Sequence, residues 1–212
     1  QSTLQASFDD WTAKAKLVDK RMPLWHLLSE LVSHAPDHAD YEQLKEEIQA
    51  INDNRLLFQD PDLIQPKLDE IVEKLKTKLN QLKEDYINIY DVKMHVLQKD
   101  DYFSKITPEQ RRYILYNNQL LTKPDLKPLD AKSLLHDLQM ASLFTWDTKI
   151  AALPRQYQAA REDAIAILAP HATNYSLPKA TITNLQDLED YISGLKNDVE
   201  ELLKTSSTII LK

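Results

Sequence analysis

Glycine is almost missing from this chain, with one residue in 212 where average usage would place roughly 15. A phosphate loop, a dinucleotide fingerprint and a nucleophile elbow each need glycine for positive φ or close backbone approach, so all three are excluded. β-Sandwiches and barrels are disfavoured for the same reason, because their many tight turns consume glycine. Cysteine is absent altogether, which removes disulfides, thiolate catalysis, zinc knuckles and iron–sulfur clusters together. Basic charge is short as well. Lys+Arg 26 against Asp+Glu 33 leaves a net charge of -7, whereas a dedicated nucleic-acid module usually carries a basic face. No apolar run approaches the roughly 18–20 residues of a membrane span. The opening residues are polar and soon acidic, so they do not read as a signal peptide. The chain begins at Gln1 rather than Met, as expected of a segment cut from a larger protein, with processing as the alternative.

What remains is a helix-forming composition, 42% hydrophobic and 28% charged, which suits a folded domain rather than a disordered one. Apolar residues recur at spacings of three and four, the helical period. The first stripe is Leu4, Phe8, Trp11, Ala15 and Val18. Pro23 suits the first turn of a second helix, carrying Trp25, Leu28, Leu31 and Val32 and stopping near Pro36. A third helix is predicted over 40–57, with Leu44, Ile48 and Ile51 inward. The longest follows over 66–97, with the stripe Leu68, Val72, Leu75, Leu79, Leu82, Tyr86, Ile89 and Val96. That heptad-like spacing predicts side-by-side packing at a shallow angle, as in a coiled coil. The expected partner of Leu75, Leu79 and Leu82 is the N-terminal helix with Phe8, Trp11 and Ala15, the same helix of a second subunit being the alternative.

Residues 100–105 read as a hinge, and Thr107-Pro108-Glu109-Gln110 as a capped helix start, with the cap and N3 side chains bonding reciprocally. Helices are expected over 109–120, 130–140, 142–153 and 155–169, separated by Pro124, Pro128, Pro154 and Pro170. Tyr175-Ser176-Leu177-Pro178 and Ala180-Thr181-Ile182-Thr183 are β-prone. Asn184 caps a helix striped by Leu185, Leu188, Ile192, Leu195, Val199 and Leu202, and Thr208-Ile209-Ile210-Leu211 reads as a strand. Strand, helix and strand have the length of a parallel crossover. Gly194 falls inside that helix, where either a close backbone contact or simple tolerance accounts for it. The predicted architecture is mainly α: a multi-helix bundle with one long coiled-coil-like helix and a small C-terminal strand–helix–strand unit. A helical region over 1–103 would precede a second over 104–212.

Few residues carry chemistry. His34 and His38 have a His-x₃-His spacing, but Pro36 between them breaks the helix that would align the imidazoles, and a structural site needs further ligands. His26, His95, His136 and His171 are isolated. The adjacent carboxylates Asp9-Asp10, Glu46-Glu47 and Asp100-Asp101 diverge by about 100° on a helix, and Ser206-Ser207 has no histidine nearby in sequence. No catalytic, cofactor or metal residue is therefore assigned. Lys105, Arg111, Arg112, Tyr113 and Tyr116 form the one basic–aromatic cluster, a combination suited to contacting nucleic acid and equally ordinary on a helix surface.

Asp19-Lys20-Arg21-Met22-Pro23-Leu24-Trp25 resembles a segment in the C-terminal region of the BrxC/PglY family, the large P-loop proteins of BREX phage-defence systems. Asp53-Asn54-Arg55-Leu56-Leu57 followed by Asp60-Pro61-Asp62 is similar to the next block of that region. So are Ser176-Leu177-Pro178-Lys179-Ala180-Thr181-Ile182, then Leu188-Glu189-Asp190-Tyr191-Ile192, then Thr208-Ile209-Ile210-Leu211. The resemblance implies a C-terminal fragment of a bacterial cytoplasmic protein whose nucleotide-binding motifs lie elsewhere. It also implies a complex containing a methyltransferase and a phosphatase-like protein. The resulting expectation is a non-catalytic domain, without a cofactor of its own, that contacts sister subunits or other BREX components. A DNA-contacting accessory domain and a stand-alone coiled-coil scaffold are the alternatives.

Overall fold

The computed structural model describes residues 2–127, 129–169, 173–206 and 209–211. Seven helices and two short strands occur among them. In order they are α1 (Ser2–Ser33), α2 (Ala39–Asp53), α3 (Ile64–Gln98), α4 (Pro108–Asn117), α5 (Ala131–Met140), α6 (Leu143–Leu168), β1 (Thr173–Tyr175), α7 (Leu185–Leu203) and β2 (Ile209–Leu211). The fold is mainly α, as the apolar periodicity predicts. β1 and β2 pair in parallel, with Thr173 opposite Ile209 and Tyr175 opposite Leu211. Tyr175 thus belongs to a strand, whereas 180–183 carries none. Pro128, Pro170, His171, Ser207 and Thr208 lie outside the described residues.

Two proline readings are overturned. Pro23 does not open a helix but sits inside α1, and Pro154 does not divide two helices but sits inside α6. A proline within a helix loses one backbone hydrogen bond at a cost of about 3 kcal/mol. Buried apolar residues outweigh it, on the C-terminal side of Pro23 and on both sides of Pro154. Leu28 and Leu31 follow Pro23, while Trp146 and Leu153 precede and Tyr157 and Ala160 follow Pro154, and all are buried.

The chain forms two compact units, interleaved in sequence. One comprises Gln1–Ile89 and Pro124–Ala152, the other Tyr90–Lys123 and Leu153–Lys212. In the first, the core is built from Leu28 and Leu31 of α1, Tyr41, Leu44, Ile48 and Ile51 of α2, and Leu134 and Leu138 of α5. To these α3 adds Ile64, Leu68, Ile71, Leu75, Leu79, Leu82 and Tyr86. Three contacts fix the neighbours of α3. The Tyr41 hydroxyl donates to the Lys74 carbonyl at 3.4 Å, Lys83 Nζ lies 2.7 Å from Asp137 of α5, and the Tyr86 ring meets Trp146 edge-on at 5.8 Å. Leu75, Leu79 and Leu82 are therefore buried as expected, but not against Phe8 and Trp11, which are exposed. Val96, expected inward, is exposed too, and Ile71 and Tyr90 fill positions absent from the expected stripe.

In the second unit, the Tyr90 hydroxyl donates to the Leu120 carbonyl at 2.7 Å and the Tyr157 hydroxyl to the Tyr90 carbonyl at 3.0 Å. Both phenols thus enter the core with their polar ends satisfied. The expected hinge at 100–105 is a packed turn. Phe103 and Ile106 are buried, and Asp100 Oδ1 accepts from the amides of Tyr102 and Phe103 at 2.9 and 3.1 Å.

Candidate interaction surfaces

The basic–aromatic cluster is divided by the structure. Thr107 and Gln110 form the reciprocal capping box at the start of α4. Arg111 is consumed locally, its guanidinium donating to the carbonyls of Ile106 and Ser104. Its charge braces the preceding turn. Arg112, Tyr113 and Tyr116 remain exposed, and their spacing of one, three and four residues places them on one side of α4. Lys105, in the preceding turn, is exposed as well.

The other candidates scatter into structural roles. His38 caps α2, its Nδ1 accepting from the Asp40 amide at 3.4 Å. Among the described residues, no group of three His, Asp or Glu side chains could hold a metal ion. Asp100 and Asp101 do not converge. Asp100 accepts from Arg161 Nε at 2.7 Å while Asp101 faces solvent. Burial pushes the Asp100 carboxyl up, but the Arg161 hydrogen bond, the two amides and the Arg161 charge together hold it below the usual carboxylate range. Ser206 Oγ pairs with Thr173 Oγ1 at 2.5 Å, a hydroxyl pair with no base beside it among the described residues. Gly194 has open space where a Cβ would stand, so no backbone contact requires it.

Arg21, to which sequence reasoning gave no role, is a highly connected polar side chain of the first unit. It is 4% exposed. Its Nη1 donates to the Gln59 carbonyl at 2.7 Å and the Leu57 carbonyl at 3.3 Å, and Nη2 reaches Asp60 at 2.8 Å. Its Nε makes no hydrogen bond but lies 3.5 Å from the Asp62 carboxylate. The block around Asp19-Lys20-Arg21 and the block from Asp53 to Asp62 are thereby joined across about 40 residues of chain by one guanidinium. A similar tie links two later blocks, the Tyr191 hydroxyl donating to the Pro178 carbonyl at 3.1 Å. Nothing in Asp19-Lys20-Arg21-Met22-Pro23 announces loop carbonyls as its partners.

Two apolar stripes are left uncovered, that of α7 only in its first half, since Leu195, Val199 and Leu202 are half-buried. Over its first five turns α1 exposes Leu4, Phe8, Trp11, Ala15 and Val18, Trp11 being 72% exposed. Helix α7 segregates apolar from polar residues cleanly yet buries none of them, with Leu185 71% and Ile192 54% exposed. Its polar side is acidic, carrying Asp187, Glu189, Asp190, Asp198, Glu200 and Glu201 against Lys196 and Lys204. No described helix is long and apolar enough to cross a membrane. Comparison with protein-family models, with curated proteins and with solved structures yields no significant match.

Proposed function

We propose that this chain is a non-catalytic helical module that makes contacts for assembly within an ATP-dependent bacterial phage-defence complex of the BREX type. One observation carries the assembly half of this reading: α7 presents Leu185, Leu188 and Ile192 to solvent on a helix whose opposite side is strongly acidic. An apolar stripe of that kind in water costs solvation free energy unless a partner covers it. The resemblance of the Asp19–Trp25, Asp53–Asp62 and 176–192 blocks to the BrxC/PglY C-terminal region supports the defence half. The Arg21 and Tyr191 hydrogen bonds join residues of those blocks in space.

The test is Leu188→Asp with Ile192→Asp in the protein that carries this segment, in cells whose defence system is otherwise intact. Both side chains are surface residues, so the fold should survive. The expected result is loss of phage restriction together with loss of co-purification of the methyltransferase or phosphatase-like component. Full restriction with an intact complex would overturn the reading.

A second reading rests on α4. Tyr113 and Tyr116, exposed beside Arg112 and Lys105, present the stacking surfaces and cations that single-stranded nucleic acid uses. Against it stand the net charge of -7 and the diversion of Arg111. A labelled single strand that shows no shift at low salt with micromolar protein would dispose of it. Binding that weakens steeply with salt and is lost in Tyr113→Ala would support it.

A further inference from the structure

We propose that the first five turns of α1 pair antiparallel with the same segment of a second copy of this chain. The inference goes beyond the assembly reading and uses a different surface from α7.

The need for a partner comes from helix physics. Helices in proteins draw most of their stability from packing an amphipathic face rather than from intrinsic propensity. Residues 2–20 are helical, yet their described side chains from Leu4 to Lys20 are exposed, Leu17 being the one half-covered position. The packed part of α1 begins at Arg21 and continues through Leu28 and Leu31. It can nucleate the helix but leaves Phe8 and Trp11 in water.

The choice of a second copy comes from complementarity of size. The spacing of Leu4, Phe8, Trp11, Ala15 and Val18 assigns Phe8 and Ala15 to one heptad position and Leu4, Trp11 and Val18 to the other. In an antiparallel pair these two positions face each other. The register that centres on residue 13 sets Trp11 of one copy against Ala15 of the other, and Phe8 against Val18. Both of these layers combine a large side chain with a small one, and two-fold symmetry repeats each layer. A parallel pair would instead stack Trp11 on Trp11 and Ala15 on Ala15, one layer overfull and the next with a gap.

Charge points the same way. Asp9 and Asp10 lie in the first half of the segment, and the second half carries Lys14, Lys16 and Lys20 against Asp19. Antiparallel pairing runs each acidic half beside a basic half and opposes the two helix dipoles. Asp10 already holds Lys14 at 2.8 Å within its own helix, so the stripe's flank carries little uncompensated charge. About five turns of helix form a small interface, at the weak end of specific association. The pairing should therefore depend on protein concentration.

Because the chain has no cysteine, single cysteines report the geometry cleanly. The experiment measures mass in solution from low to high micromolar for the chain as it stands and for Trp11→Asp, followed by oxidation of Thr12→Cys and Leu4→Cys. Expected are a concentration-dependent dimer that Trp11→Asp abolishes without lowering the thermal midpoint of the core, a disulfide dimer from Thr12→Cys near the two-fold axis, and none from Leu4→Cys. A monomer at every concentration, a mass unchanged by Trp11→Asp, or cross-linking of Leu4→Cys rather than Thr12→Cys would overturn the proposal. These outcomes are read on the purified chain. A failure here leaves the α7 contact standing, and a failure of the α7 test leaves this one standing.

Discussion

Arg55 and Gln119 adopt φ of 57° and 58°, the left-handed conformation that usually belongs to glycine at the end of a helix. Each follows a helix that stops by the same device. Leu56 N–H returns to the Ile51 carbonyl and Arg55 N–H to that of Asn52. Leu120 N–H returns to Leu115 and Gln119 N–H to Tyr116. Both are the paired terminal bonds of a Schellman motif, made here by residues with a Cβ. The left-handed state costs such residues about 1–2 kcal/mol, partly offset by the backbone entropy that glycine would lose. Gln119→Gly should therefore stabilise the protein by about 0.5–1 kcal/mol, read as a rise in the urea midpoint. At Gly194 the argument reverses. The site is helical and unobstructed, so Gly194→Ala should stabilise α7 by up to about 1 kcal/mol, visible as slower amide exchange there. Asp100 makes the third prediction at this scale. Its folded-state carboxyl is depressed relative to an unfolded aspartate near 3.9, so its ionised form stabilises the fold above that value. The contribution is lost as pH falls through the lower folded value. Asp100→Asn should flatten the acid limb of a stability–pH profile below about pH 4, with little effect on its slope near neutrality.

At the scale of elements, the central three turns of α3 give the clearest expectation. Leu75 and Leu79 have no exposed surface, so Leu79→Ala should cost about 2–5 kcal/mol. Leu79→Asp should cost more, because an unpaired charge would be buried. Both are read from the denaturant midpoint, and an unchanged midpoint in Leu79→Asp would contradict the packed core. This helix was legible in the sequence to within two residues at its start because its apolar spacing holds from Leu68 to Ile89, with Lys93 as the one polar interruption before Val96. The α4 and α7 starts were legible because Thr107 and Asn184 announce themselves as caps. Pro23 and Pro154 were misread for a physical reason. Sequence shows the local cost of a proline and hides the buried area that offsets it, after Pro23 and around Pro154. The packing partner of Leu79 was misread for a related reason, since a stripe shows that a helix wants cover without showing what provides it. Arg21 was not legible at all, because the carbonyls of Leu57 and Gln59 become acceptors only once the loop has folded back.

At the scale of the molecule, the two compact units share helices. Residues 64–89 of α3 belong to one and 90–98 to the other, and α6 divides likewise at 152. Unfolding one unit alone would require both helices to fray at these points, breaking consecutive backbone hydrogen bonds next to Tyr86, Tyr90 and Leu153, all buried. Cooperative unfolding is the expected consequence. The tryptophans make this measurable, because Trp11, Trp25 and Trp146 all lie in the first unit while the hydrogen bond from Tyr157 to Tyr90 lies in the second. Tyr157→Phe removes that bond's donor and leaves a buried carbonyl with one partner fewer, a loss of about 1 kcal/mol. If the helices transmit stability, the urea midpoint followed by tryptophan fluorescence should fall although no tryptophan neighbour has changed in its own unit. If the tryptophan midpoint stays fixed while amide exchange in α4 accelerates, the units unfold separately and the shared helices act as tethers rather than as struts.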